Sequence, residues 1–368
     1  MIVKHKIVYV ITRSEIGGAQ NHIISLLDHI GKKYNLVLVT GSDGYLVDMV
    51  NGLSIKPKIY VVDSIDSFNI VKSVLSLKEI FNNEIPDLIH THSTLASIHG
   101  RLAARFCKLK VLHTIHGWHF ANKNLLKQIL QVSAEFLFKP LTTYWITVSQ
   151  YDLRLGLRFK LLRNRNVISI KNGIEDTSID FLRDSRPLEG DDKTRMVFVG
   201  RASFQKNCME AIEIIKLCPS NVLLTMYVTS GDYLSAIIKL IADSNLEDRV
   251  TLIIDNPDAS SNLHHHDAML LTSRYEGMPL CVLEAMRVGL PIVSSDVCGM
   301  NEIVINRETG YLYPLHDVEE AANCVNRLLE VEKRLELGRV ARENFEKYFR
   351  AALMANKTAD IYEKLLSE

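Results

Sequence analysis

Residues 6–40 read KIVYVITRSEIGGAQNHIISLLDHIGKKYNLVLVT. The stretch opens on an apolar run, KIVYVIT, passes into GGAQNHIISLLDHI with apolar residues at helical spacing, and closes on a second apolar run, NLVLVT. Strand, helix, strand is the reading, and near-continuous apolar strands separated by helices belong to parallel sheets covered on both faces. The alternation continues outward through DLIHTH, KVLHTIH, YWITVS and NVISIKNG. After residue 190 it restarts with RMVFVGR, VLLTMYV, RVTLII, AMLLTS and LPIVSS. Between the two series lies the polar segment DTSIDFLRDSRPLEGDDKT, the best break in the chain. The expected fold class is therefore α/β, with two doubly wound Rossmann-like domains facing across a cleft. The expected bounds are 1–175 and 190–350, with a C-terminal helix at about 350–368 returning to the first domain.

The 368 residues suffice for two domains, and 47% hydrophobic with 23% charged residues is the balance of a soluble globular protein. Six cysteines form no C-x-x-C pair and sit in apolar segments, which reads as reduced thiols in a cytosolic protein. The start MIVKHKIVYVIT is interrupted by Lys4, His5 and Lys6 and does not read as a signal peptide. No apolar run reaches the roughly 18 residues of a membrane span. Net charge is zero but unevenly spread. Residues 1–171 hold 22 Lys+Arg against 11 Asp+Glu, and the remainder 21 against 32. Residues 101–171 alone carry 13 basic side chains and only two acidic ones, Glu135 and Asp152. Such a patch should meet an anion: nucleic acid, an anionic membrane surface or a phosphorylated substrate.

Polar residues gather just after the strands, where doubly wound folds bind ligands. Gly17 and Gly18 follow the first strand, Arg201 and Lys206 follow MVFVG, and Glu276 follows AMLLTS. In SRYEGMPLCVLEAM, Ser273–Met286, Glu276 and Glu284 are separated by seven residues. One continuous helix would hold them ~12 Å apart along its axis. Gly277 and Pro279 instead suggest a loop to Met278 and a helix over Pro279–Val288, with Pro279 in its first turn. Backbone N–H groups of Gly277, Met278, Pro279's successor Leu280 and the turn beyond would then point at an anion or hydroxyl oxygen. There is no G-x-G-x-x-G, no G-x-x-x-x-G-K-[ST] and no Asp-x-Asp pair, which speaks against NAD, P-loop ATP and a metal-held diphosphate. Diphosphate charge would fall to Arg201, Lys206 and helix termini. His264, His265 and His266 are adjacent, so they cannot all face one metal from a strand or helix.

IGGAQ, HTHS, HTIHGWHF, ITVSQYD, IKNGIE, VFVGR…QKN and SRYEGMPLCVLEAMRVGLPIVSSDVCGMNEIV…TGYLYP run in one order over nearly the whole chain. In these the sequence resembles a GT-B-fold, family 4 (glycogen synthase-like, group 1) retaining glycosyltransferase. The resemblance implies that Arg201 and Lys206 bind the donor diphosphate and act in catalysis. It implies that Glu284 holds the nucleotide ribose, and that Glu276 with the backbone of Gly277, Met278, Pro279 and Leu280 grips the donor sugar. By the same resemblance His116 stands beside the reacting sugar, Gly17 and Gly18 approach the diphosphate, and Asn172 of IKNGIE belongs to the donor site. His92 of HTHS would contact an acceptor or brace a loop. Two departures are visible: Ala202-Ser203-Phe204 replaces the commoner Leu-x-x-x-Lys lead-in, and IIDNPDASSNLHHHD replaces a Gly-Phe segment near the base.

The expectation is thus a cytoplasmic, metal-independent, retaining transferase without a cofactor. It would move a hexose or N-acetylhexosamine from a nucleotide-sugar, most simply a UDP-sugar, to a saccharide on a lipid diphosphate in surface-polysaccharide (O-antigen or capsule) synthesis. The rivals are a UDP-sugar 2-epimerase of similar fold and a nucleic-acid-binding protein; no stacking platform or motif favours nucleic acid as partner. LRLGLRFKLLRNRN, Leu153–Asn166, interleaves leucines with basic residues and reads as a helix lying on the inner membrane face.

Overall fold

A computed structural model of the chain describes residues 4–118, 125–176, 192–256 and 258–368. It divides into two compact units: residues 1–175 together with the C-terminal helix Ala351–Ser367, and residues 176–350. The expected linker falls largely on residues 177–191, which lie outside the described residues, as do the last two residues of HTIHGWHF.

The first unit holds seven strands: β1 (Lys6–Ile11), β2 (Asn35–Thr40), β3 (Lys58–Val61), β4 (Leu88–His92), β5 (Lys110–Ile115), β6 (Tyr144–Thr147) and β7 (Val167–Ser169). All pair in parallel, in the order β3-β2-β1-β4-β5-β6-β7. Alternation along β1 sorts its side chains. Ile7, Tyr9 and Ile11 enter a core with the helix Gly18–Ile30 and with Met354, Ala355 and Tyr362 of the C-terminal helix. Val8 and Val10 enter the opposite core beneath the helices Ile70–Glu84 and Thr94–Cys107. Every β1 apolar residue is thus buried, each fully buried side chain of this kind contributing about 1.5–3 kcal/mol. The C-terminal helix is also fastened by polar contacts. The Tyr9 and Tyr362 hydroxyls meet at 2.5 Å, and the Tyr362 oxygen lies 2.7 Å from His90 Nδ1.

The second unit has six parallel strands: β8 (Thr194–Arg201), β9 (Val222–Thr229), β10 (Val250–Ile254), β11 (Ala268–Leu271), β12 (Ile292–Ser295) and β13 (Gly310–Tyr313). Their order is β10-β9-β8-β11-β12-β13. β13 begins where only glycine fits: Gly310 has φ +156°, and a Cβ there would stand 1.9 Å from the Ile292 carbonyl oxygen.

Both sheets reverse winding once, between β1 and β4 in the first unit and between β8 and β11 in the second. Ligands of open α/β sheets bind outside the carboxyl ends of the strands at such a point. The chain leaves β1 toward Gly17, β4 at His92, β8 at Arg201 and β11 toward Glu276.

Candidate active site

In the second unit, Arg201 ends β8 and is exposed. A short turn carries the chain to Lys206, whose Nζ lies 2.7 Å from Glu276 Oε1 in the loop after β11. The same Glu276 oxygen accepts from the Ser273 hydroxyl at 2.6 Å, while Gln205 Nε2 donates to the Tyr275 carbonyl at 3.0 Å. Burial works to lower the Lys206 pKa, but the charge and hydrogen bond of Glu276 outweigh it, so the ammonium is held firmly charged. Lys206 and Glu276 therefore neutralise each other across the switch point of their sheet. Arg201 adds a further cation close enough to lower the Tyr275 phenol's pKa, which burial otherwise raises.

The helix that follows runs Leu280–Arg287, starting one residue later and ending one residue earlier than the sequence pattern suggests. Pro279 is its cap rather than its first residue, with ψ 125°, because the chain arrives extended from the buried Gly277 and Met278. No side chain caps this end, so its first N–H groups remain available to an oxygen-rich ligand. Glu284, half-buried on the helix, has its pKa raised by burial, a trend that Arg287 and a hydrogen bond with Ser260 oppose. Arg287 Nη2 also donates to Ser260 Oγ at 3.0 Å. Ser260 lies in the segment that departs from the family pattern, and nothing in its local sequence announced it as Glu284's neighbour.

In the first unit, the helix Gly18–Ile30 starts at Gly17 with extended backbone, no capping side chain and no acidic residue in its first turn. One turn on, His22 is buried, and its Nδ1 lies 2.9 Å from Asn172 Oδ1 in the loop after β7. Burial lowers the His22 pKa to about 4, with the Asn172 contact opposing. His92 closes β4, fully buried, with Nδ1 3.0 Å from Nε2 of the half-buried His116 after β5. The His22 and His116 rings meet edge to face, 4.8 Å between centroids. Burial also pushes His90, His92 and His113 well below the usual imidazole range. Of the two sequence readings of His92, an acceptor contact or a loop brace, the structure shows a fully buried ring whose Nδ1 lies beside His116. His22, which no motif singled out, belongs to the same group.

His22, His92 and His116 offer ring nitrogens that all lie within 4.8 Å of one another, and Asp28, His29 and Glu175 form a second such set among the described residues. Imidazole suits zinc and its neighbours. The His92–His116 hydrogen bond engages one nitrogen of each of these two rings. His264 and His266 instead bond backbone carbonyls of Ser261 and Asn262.

The segment Leu153–Asn166 is not a lipid-facing helix. The helix is Gln150–Arg158, Lys160 turns the chain with φ +57°, and Leu161 and Leu162 are buried with Trp118 and Trp145. Leu153, Leu155, Leu157 and Phe159 pack against that same cluster, leaving Arg154, Arg158, Lys160, Arg163 and Arg165 outside. No helix among the described residues is long and apolar enough to cross a membrane.

Each of the two doubly wound α/β units gathers polar groups at its switch point. The family model described as "Glycosyl transferases group 1" matches residues 180–348, and that described as "Glycosyltransferase Family 4" matches residues 16–178. The chain belongs to this family of GT-B glycosyltransferases and is a hexosyltransferase. It is 28% identical over 311 residues to the UDP-Gal:alpha-D-GlcNAc-diphosphoundecaprenol alpha-1,3-galactosyltransferase of Escherichia coli, covering 79% of each chain. It is 24% identical over 308 residues to the N-acetyl-alpha-D-glucosaminyl L-malate synthase of Bacillus anthracis, covering 79% of this chain and 78% of that one. Among solved structures, Anabaena HepE in complex with UDP and glucose superposes with a TM-score of 0.81 at 18% identity, covering 98% of this chain and all of that one.

Proposed function

We propose that the chain transfers a hexose or N-acetylhexosamine, with retention, from a UDP-sugar to a saccharide carried on a lipid diphosphate at an anionic membrane face, in surface-polysaccharide synthesis. The Lys206–Glu276 pair at the β8/β11 switch point is the observation that carries this reading. On donor binding, Lys206 and Arg201 turn to the diphosphate and stabilise the charge that develops there as the glycosidic bond breaks. Glu276 and the open helix start at Leu280 take the hydroxyls of the sugar, and Glu284 takes the ribose. In the first unit, Gly17 and Gly18 open another uncapped helix start suited to phosphate oxygens, with His22 one turn on held by Asn172. His116, oriented by His92, meets the transferred sugar. Binding does most of the work: catalysis is positional and electrostatic, and no metal takes part. The relatives support the substrate classes, since one is named for UDP-Gal and a diphosphoundecaprenol acceptor, and HepE was solved with UDP.

A thermal-shift and calorimetric screen of UDP-, GDP- and ADP-sugars tests the donor. A saturable shift with UDP-sugars alone is expected. A response to GDP- or ADP-sugars without UDP-sugars would overturn the assignment of the base.

A further inference from the structure

The helix Leu125–Phe138 is built inside out. Its inward side carries Glu135, buried with 3.0 Å to Arg101, and Val132, packed on the Trp118–Trp145 core. Its outward side carries Leu126, Ile129, Leu130, Phe136 and Leu137, each between 51% and 70% exposed. Their spacing places them on one stripe of the helix. Scattered exposed leucines need no explanation, but five large apolar side chains on one face do.

Charge frames this stripe. At its C-terminal end the Lys139 ammonium lies 3.6 Å from the centre of the Phe136 ring and donates to the Lys160 carbonyl at 2.8 Å. Burial and then neighbouring Arg163 lower the Lys139 pKa, so these basic residues crowd one another. The only two carboxylates of residues 101–171 are both turned inward. Glu135 meets Arg101, and Asp152 accepts from the Trp118 N–H at 3.0 Å and the Ser149 hydroxyl at 2.7 Å. A second copy of the chain docked symmetrically here would bring like charges together.

We propose that the Leu126–Leu137 stripe, with Lys139, Lys160 and Arg163 beside it, is the surface by which the protein lies on an anionic lipid bilayer. Apolar side chains enter the headgroup boundary while the basic groups meet lipid phosphates. The inference deepens the lipid-carried acceptor reading above and rests on it for its purpose: it names the face that brings the enzyme to that acceptor.

Co-sedimentation with phosphatidylglycerol/phosphatidylcholine vesicles tests it on the full chain. Wild type should pellet at low salt and be released at high salt, and should ignore pure phosphatidylcholine. The triple variant Ile129→Gln/Leu130→Gln/Leu137→Gln, and separately Lys139→Ser/Lys160→Ser/Arg163→Ser, should each bind at least tenfold more weakly with unchanged thermal unfolding. Both should still transfer sugar at the wild-type rate to a short-chain, water-soluble alkyl-diphosphate acceptor. Failure of that soluble transfer by wild type would strike the function reading and leave the vesicle result standing. Wild type that ignores anionic vesicles at every salt concentration, or a glutamine triple that binds them as wild type does, would overturn the docking surface. So would a wild-type dimer that the glutamine triple converts to monomer, since the stripe would then be covered by a second copy.

Discussion

Lys206 and Glu276, 70 residues apart, meet at 2.7 Å and tie the ends of β8 and β11 together at the one place where their sheet reverses winding. Each is the other's counter-charge. Removing one partner of a buried pair leaves a stranded charge and costs about 3–5 kcal/mol, more than removing both. Glu276→Gln should therefore lower the melting temperature further than the double variant Lys206→Met/Glu276→Gln does. It should leave free UDP affinity intact, because Lys206 is released toward phosphate, while depressing turnover on the order of 10²-fold. Additive losses of stability in the double-mutant cycle would contradict the pairing.

Arg201 and Lys206, both proposed to meet the diphosphate, should not be equivalent. The guanidinium grips two phosphate oxygens at once and an ammonium only one. Arg201→Ala should reduce kcat/KM more than Arg201→Lys does, and both should retain wild-type stability, since Arg201 is exposed. Equal losses for the two substitutions would remove the bidentate role.

Glu284, proposed to hold the ribose, carries its charge where burial disfavours it. Burial raises its pKa in the folded state above the ordinary value near 4.5. A carboxyl group shifted in that direction contributes most below its unfolded pKa, and that contribution is lost as pH rises through the folded pKa. Glu284→Gln should thus melt at a higher temperature than wild type at pH 7, and the advantage should shrink toward pH 4. The same variant should bind UDP more weakly, each charge-assisted bond to a ribose hydroxyl being worth about 1.5–3 kcal/mol. Calorimetry and thermal unfolding on one protein sample read both effects, and unchanged UDP affinity would remove the ribose role.

The histidine group sets an acid limit. His22 protonates near the usual imidazole value when unfolded but only at about 4 in the folded unit. His90, His92 and His113 are shifted the same way. Groups with depressed folded values give stability that is present above the unfolded pKa and lost as pH falls toward the folded one. The melting temperature should fall between pH 7 and pH 5, and His22→Gln should flatten that slope.

Metal should be dispensable. EDTA is expected to leave turnover unchanged. Loss of activity on chelation, restored by zinc and insensitive to added zinc in His22→Gln, would mean that the His22–His92–His116 group holds an ion in the working enzyme.

The sequence made the strands legible where apolar runs were long. KIVYVIT and RMVFVGR could form little else in a chain of this rhythm. β3 and β13 were not legible: KIYV is four residues at a half-exposed edge, and GYLY depends on Gly310, whose need for positive φ comes from the Ile292 carbonyl. Glu276 and Lys206 stood out because loops after strands carry polar residues for a reason. His22 and Ser260 did not, since their neighbours Asn172 and Glu284 are far away in sequence and only folding joins them. The alternating leucines and arginines of residues 153–165 misled because period and charge cannot tell a membrane from a neighbouring tryptophan. Trp118 and Trp145 took those leucines inward, while the helix Leu125–Phe138 turned Leu126, Leu130 and Leu137 outward.

If the β8/β11 switch point holds a UDP-sugar for transfer to a lipid diphosphate, as proposed, the product can be weighed. Mass spectrometry of a GlcNAc-diphosphate-lipid acceptor, incubated with UDP-galactose, UDP-glucose or UDP-N-acetylglucosamine, tests it most directly. Wild type should add one sugar residue from at least one of these donors, and Glu276→Gln should bind UDP but add far less. An acceptor left unchanged by every donor, or a Glu276→Gln variant as active as wild type, would contradict it.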